Sequence, residues 1–171
     1  MTYAVYFVLY LAVQLCAYVV TPVLPLFAHR RYGWLDNANS FGEAYRLPKW
    51  LAWFDTPDNS LDGDYAFTKR YLNSPKYWRH LCWLYRNSLY GFKWTVLAAP
   101  MYPDRQVYGT TKLDYHAGEY GSLRIKMGRF WQVKVVRRFG SRVFIGNFGW
   151  LLDDTSKTKA LFMFSPRFKK V

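Results

Sequence analysis

The sequence predicts an α+β fold: an N-terminal transmembrane helix, amphipathic helices, then an antiparallel β-meander of four or five strands. Three observations carry this expectation. An uncharged apolar run extends from Tyr3 to Phe27, aromatic residues recur at helical spacing between Lys76 and Tyr90, and the pattern changes to two-residue alternation after Val107. The 171 residues suit one domain behind an anchor, so the expected division is residues 1–28 as anchor and 29–171 as a basic cytoplasmic domain. Within that domain, residues 46–100 form a helical and loop part and 105–171 a β part.

In the first element, only Gln14, Thr21, Pro22 and Pro25 interrupt the apolar run. As a helix it would reach roughly 37 Å, enough to cross a hydrocarbon core of about 30 Å with some tilt. A buried core helix is the competing reading, but such helices seldom need so many consecutive apolar residues. Nothing basic precedes Tyr3, which argues against a cleaved signal peptide. His29, Arg30 and Arg31 follow the run, and by the positive-inside rule they place the C-terminal side in the cytoplasm. The expected topology is a single span with the N-terminus outside and the bulk of the chain in the cytoplasm. Arg30, Arg31, Trp34, Trp50 and Trp53 are the candidate residues for the membrane interface, because cations and tryptophans collect at headgroup depth. For Trp50 and Trp53, a short helix filling a core is an equal alternative.

The next segment, Asp55 to Asp64, holds four of the chain's eleven acidic residues, a concentration unexpected at a net charge of +13. Asp58, Ser60, Asp62 and Gly63 match the first half of a calcium loop, in which alternating oxygens face inward and glycine permits the turn. Lys69 stands where such a loop carries its bidentate glutamate. A site for Ca or Mg at Asp55, Asp58, Ser60, Asp62 and Asp64 would therefore need a further carboxylate. A turn stabilised by Asp, Asn, Pro and Gly, or an acidic loop that pairs with the basic half, is favoured over it.

Ser74 and Pro75 read as an N-cap and first helical residue, opening a helix that runs through Tyr90 and stops at Gly91. Trp78, Leu81, Leu84 or Tyr85, and Leu89 would form its apolar stripe. Farther on, Leu123, Ile125 and Met127 alternate with Arg124 and Lys126, and Trp131, Val133 and Val135 with Gln132 and Lys134. Gly128–Arg129 and Gly140–Ser141 read as hairpin turns. The expected meander has one apolar face and one basic face.

The cations of this half are Arg124, Lys126, Arg129, Lys134, Arg137, Arg138 and Arg142, with no acidic residue between Tyr120 and Trp150. Like charge at that density calls for an anionic partner. Lipid headgroups are the default for a membrane-tethered domain, at about 1 kcal/mol per basic residue near the surface. Nucleic acid is second, since Phe139 and Phe144 beside arginines can stack bases. An acidic protein or a merely solvated face are the remaining options.

Support for catalysis is thin. His116 lies between Asp114 and Glu119, which are placed to orient an imidazole, but no nucleophile motif accompanies it. Cys16 and Cys82 are too few for a disulfide scaffold or a four-cysteine zinc site, and 51% hydrophobic residues exclude a disordered polycation.

Two strings are distinctive: Trp53-Phe54-Asp55-Thr56-Pro57-Asp58-Asn59-Ser60-Leu61-Asp62-Gly63-Asp64 and Trp83-Leu84-Tyr85-Arg86-Asn87-Ser88-Leu89-Tyr90-Gly91-Phe92. Across residues 46–94 the chain resembles a family of small, uncharacterised, membrane-anchored proteins encoded by tailed bacteriophages and prophages. The resemblance implies a bacterial host and an accessory role, and it assigns no catalytic residue. The expected function is binding, to a host membrane or defence component, with no cofactor. A nucleic-acid-binding module on the basic sheet face and a divalent-metal enzyme on loop 55–64 are the alternatives.

Overall fold

A computed structural model describes residues 3–36, 38–101, 104–153 and 159–170. The chain forms two compact units, residues 1–96 and 97–171.

The first unit opens with helix α1 (Tyr3–Val20), long and apolar enough to cross a membrane. Only Gln14 and Ala17 of its eighteen residues are buried, and Thr21 and Leu24 continue that buried stripe beyond it. A 3-10 turn (Leu24–Phe27) leads to strands β1 (His29–Leu35) and β2 (Ser40–Arg46), an antiparallel hairpin that has no counterpart in the sequence expectations. A second 3-10 turn (Lys49–Leu51), helix α2 (Tyr65–Arg70) and helix α3 (Lys76–Arg86) follow. Their core is Leu24, Leu47, Leu51, Leu61, Phe67, Trp83 and Leu84.

Helix α3 differs from its expected form at both ends. Pro75, not Ser74, occupies the N-cap, and no side chain caps it. The Ser74 N–H is already donated to Tyr71 O at 3.0 Å. At the other end Asn87 caps the helix and Leu89 takes a left-handed φ of 55°, so the chain restarts as the short turn α4 (Tyr90–Phe92) and a π turn (Lys93–Leu97). Gly91 presses against the backbone oxygens of Ala52 and Asp55, where any Cβ would collide. That approach, sealed by Phe92 N–H donating to Trp53 O at 2.9 Å, breaks the helix early. The buried face of α3 is His80, Leu81, Trp83 and Leu84, while Trp78, expected in the stripe, is exposed.

The second unit pairs β3 (Ala99–Pro100) with β8 (Lys159–Ala160) and builds a five-stranded antiparallel sheet. Its strands are β4 (Gln106–Gly109), β5 (Gly121–Met127), β6 (Phe130–Phe139), β7 (Arg142–Trp150) and β9 (Phe162–Lys170), in the order β4-β5-β6-β7-β9. The turns fall at Gly128 and Gly140 as expected, with φ of 56° and 59°, in the left-handed region that favours glycine.

The two-residue turn at Gly128 pairs Met127 with Phe130, Ile125 with Gln132 and Leu123 with Lys134. Directly paired residues share a face, so Gln132 and Lys134 lie on the side of the buried Leu123, Ile125 and Met127. Trp131, Val133 and Val135 go to the side of Arg124 and Lys126, which corrects the expected division into apolar and basic faces. Leu113, Tyr115 and Tyr120 pack on the inner side against Val136, Val143 and Ile145. At the edge, β9 carries Pro166, Arg167, Lys169 and Lys170.

Candidate functional site

The acidic loop is the first candidate, and its carboxylates diverge. Asp55 Oδ2 pairs with Arg31 Nη2 at 3.3 Å and Arg46 Nη1 at 3.7 Å, and Asp55 Oδ1 accepts from Thr56 N–H at 3.1 Å. Arg46 also donates to Thr56 O at 3.0 Å and to Trp34 O, crossing the space where Gly33 lacks a side chain. Both Asp55 and Arg46 are buried. Burial pushes the Asp55 carboxyl up, while Arg46, the Thr56 N–H and Arg31 pull it back, and burial pulls the Arg46 guanidinium down.

The other loop residues have separate partners. Asp58 Oδ2 accepts from Tyr90 OH at 2.8 Å. Asp62 Oδ1 meets Arg79 Nη2 at 2.6 Å and His80 Nε2 at 3.3 Å. The hydrogen bond from His80, followed by the charge of Arg79, holds the Asp62 carboxyl below the usual range. Asp64 Oδ1 caps α2 through Phe67 N–H at 2.8 Å, and its Oδ2 lies 3.4 Å from Arg86. Ser60 is buried, its backbone N–H donating to Asn59 Oδ1 at 2.8 Å. Among the described residues no three His, Cys, Asp or Glu side chains gather to hold a metal ion. Asp55, Asp62 and Asp64 meet cations, Asp64 also caps α2, and Asp58 accepts from the Tyr90 phenol, so the loop ties the first unit together.

His116 is placed similarly outside its expected role. Asp114 Oδ1 accepts from the His116 backbone N–H at 2.9 Å, forming a local turn rather than orienting the imidazole.

The expected interface residues are scattered through the first unit. Arg30 pairs with Glu43 at 3.7 Å on the surface, and Arg31 turns inward to Asp55. Trp34 stands edge-on to Phe41, and Trp53 edge-on to Phe92. Trp50, largely exposed, is set against the apolar segment: its ring meets Phe27 at 5.5 Å.

The outer face of the five-stranded sheet is the strongest site. Of the seven expected cations, Arg124, Lys126, Arg137 and Arg142 lie on it. Lys134 and Arg138 are on the inner side, Lys134 paired with Asp153 at 3.5 Å and Arg138 Nε bonded to Gly140 O at 3.0 Å. Arg129 occupies the β5–β6 turn. The register interleaves the outer cations with rings. Tyr108 pairs with Arg124, Trp131 with Lys126, and Arg137 with Phe144, which in turn pairs with Phe168. Phe148 and Phe164 form a second ring pair at 5.7 Å beside Phe144–Phe168 at 5.2 Å.

Between these pairs sits Gly146, and the rings of Phe144 and Phe148 lie over it in the space a Cβ would take. Tyr108, Arg124, Lys126, Arg129, Trp131 and Val133 line a groove of about 500 Å³ at the β4–β6 end. Among the described residues, Arg124, Lys126, Arg129, Arg137 and Arg142 form no salt bridge. The phenylalanines at 148, 164 and 168 were not singled out from the sequence. Their spacing of four along β9, matched to 144 and 148 in β7, is the signal that marks them.

No curated protein and no solved structure matches the chain. A sequence family does match, over residues 1–170, and it is described as a family of unknown function, DUF7338. The chain belongs to that family.

Proposed function

We propose that the chain is a membrane-attached protein that works by binding, and that the outer face of its sheet takes single-stranded nucleic acid. The observation that carries this reading is the alternation, along adjacent strands, of cations that form no salt bridge among the described residues with rings that are half-buried at Trp131 and Phe144 and exposed at Phe168. Phosphates at the spacing of a flexible single strand meet Arg124, Lys126, Arg137 and Arg142, while bases stack on Trp131, Phe144 and Phe168. Anionic lipid supplies the phosphates but nothing for rings interspersed with charges to stack on. The apolar helix α1 supports attachment to a membrane. The resemblance of residues 46–94 to phage-encoded proteins supports a bacterial inner membrane as the setting and an accessory role in the infected host.

The test is fluorescence anisotropy of a labelled oligothymidylate with the detergent-solubilised full chain. Binding is expected at low salt, with log affinity falling against log salt by about 0.7 per phosphate neutralised. Arg137→Ala is expected to reduce that slope by about one phosphate contact. Absence of binding at low salt, or binding indifferent to Arg137→Ala and Phe144→Ala together, overturns the proposal.

A further inference from the structure

Helix α1 is docked along one side of its own unit. Gln14 Nε2 donates to Ser88 Oγ at 2.6 Å, Tyr85 OH reaches Tyr18 O at 3.4 Å, and Tyr77 OH donates to Pro22 O at 2.6 Å. Lys93 Nζ sits 5.9 Å from the centre of the Tyr10 ring. Rising positions in α1 meet falling positions in 77–93, so the two segments run antiparallel. The Gln14–Ser88 bond satisfies a polar side chain that is otherwise buried in an apolar helix.

This docking conflicts with an upright helix. If Pro22 stood at the headgroups and α1 pointed straight in, Tyr10 would lie about 18 Å deeper. Lys93, half-buried and without a carboxylate partner among the described residues, would be carried to that depth, and the Asn87–Ser88 turn most of the way. A charge at such depth is strongly disfavoured.

The opposite side of α1 is an apolar strip in which Val8, Leu11, Leu15 and Val19 recur at helical spacing, and Leu26 of the following 3-10 turn adds to it, with Leu15, Val19 and Leu26 exposed by 68%, 78% and 72%. Trp50 extends the strip through its contact with Phe27, and exposed Lys49 adjoins Trp50. No acidic residue precedes Asp36, so α1 and the turn after it carry no negative side chain. An in-plane helix ordinarily turns a polar face away from the lipid. Here protein, namely Tyr77, Tyr85 and Ser88, occupies that side, and an apolar helix serves.

We propose that the first unit is monotopic: α1 lies in the plane of an anionic leaflet with its exposed strip and Trp50 among the lipids, rather than crossing the bilayer. This rests on the membrane attachment proposed above and sharpens how it is made. The ligand is a bilayer surface carrying phosphatidylglycerol-type headgroups.

The experiment uses the full chain in vesicles of phosphatidylethanolamine and phosphatidylglycerol. Native Cys16 is exposed on α1 and takes an environment-sensitive fluorophore directly once Cys82→Ala removes the second thiol. Single-cysteine variants Val8→Cys and Val19→Cys, with Cys16→Ser and Cys82→Ala, report two further positions. Nitroxide-labelled lipids at graded depths then place each label. An in-plane helix is expected to put all three within a few ångströms of one shallow depth. A spanning helix puts Val8 and Val19 about 16 Å apart, which overturns the proposal while leaving membrane attachment intact. Failure of the unmodified chain to float with the vesicles overturns both. Retention of the unlabelled chain's circular dichroism in each labelled variant shows that the chain remains folded, and the native Cys16 label needs no substitution on α1.

Discussion

Residues 1–96 build their buried polar centre from charges, with Arg46 and Asp55 facing each other at 3.7 Å and Arg31 beside them. Residues 97–171 build theirs from one neutral amide. Gln132, fully buried, donates from Nε2 to Asn147 Oδ1 at 3.1 Å and Asp153 Oδ1 at 3.0 Å, and its Oε1 accepts from the N–H groups of Leu152 and Asp153 at 2.7 and 2.9 Å. The amide has two donors and room for two acceptances, so four bonds complete it. The ionic centre is less complete, since Arg31 Nε and Arg46 Nε are buried without a hydrogen-bond partner. The difference is instructive. An amide closes a strand end at little desolvation cost, whereas the arginine cluster ties the hairpin to the loop only while every charge retains its counterpart.

The sharpest way to break this comparison is Asp55→Ala, which leaves two inward-facing arginines with no carboxylate. Removing one member of a buried pair typically costs about 3–5 kcal/mol, and denaturant unfolding followed by tryptophan emission is expected to show a loss of that size. Replacing both partners, as Arg46→Met with Asp55→Leu, should recover most of it; persistence of the full loss would mean that the pair is not the source. Next in size is Gln132→Leu. The N–H groups of Leu152 and Asp153 then lack an acceptor, at about 1–3 kcal/mol for each group left buried, and hydrogen exchange at those two amides should quicken first.

A third, smaller effect separates the units by pH. The folded Asp62 carboxyl titrates below its unfolded value of about 3.9, so its ionised form contributes stability above that value, and the contribution disappears as pH falls through the folded pKa. Asp62→Asn should flatten acid unfolding of the first unit in that window. An unchanged acid limb would show that Arg79 and His80 give Asp62 no net advantage. The smallest stability effect is expected from Phe168→Ala, within about 0.5 kcal/mol because the ring is mostly exposed, with oligothymidylate affinity falling by at least about fivefold.

The apolar helix, the hairpin turns and the five-stranded meander were legible because each rests on a local pattern: a run, a glycine, an alternation. The face assignment of β6 was not, because two alternations compete there. Trp131, Val133 and Val135 are the more apolar set, yet the two-residue turn fixes the pairing and sends Gln132 and Lys134 inward, where Asp153 and the Leu152 N–H receive them. The turn outranks hydrophobicity because it is a covalent constraint on register. The acidic loop was legible as a cluster but not as a structure. Its counterparts Arg31, Arg46, Arg79 and Tyr90 lie in four separate elements, and sequence spacing carries no information about which carboxylate each will reach.

Pro166 has a consequence for molecules crowded on one surface. It sits in β9, whose outer edge has no neighbouring strand among the described residues, between Ser165 and the cations Arg167, Lys169 and Lys170. A second copy approaching that edge would find a residue with no N–H to offer, and its own β9 would bring like charges against these. Copies brought to high local concentration can then stay separate at this edge rather than zip into a continuous sheet.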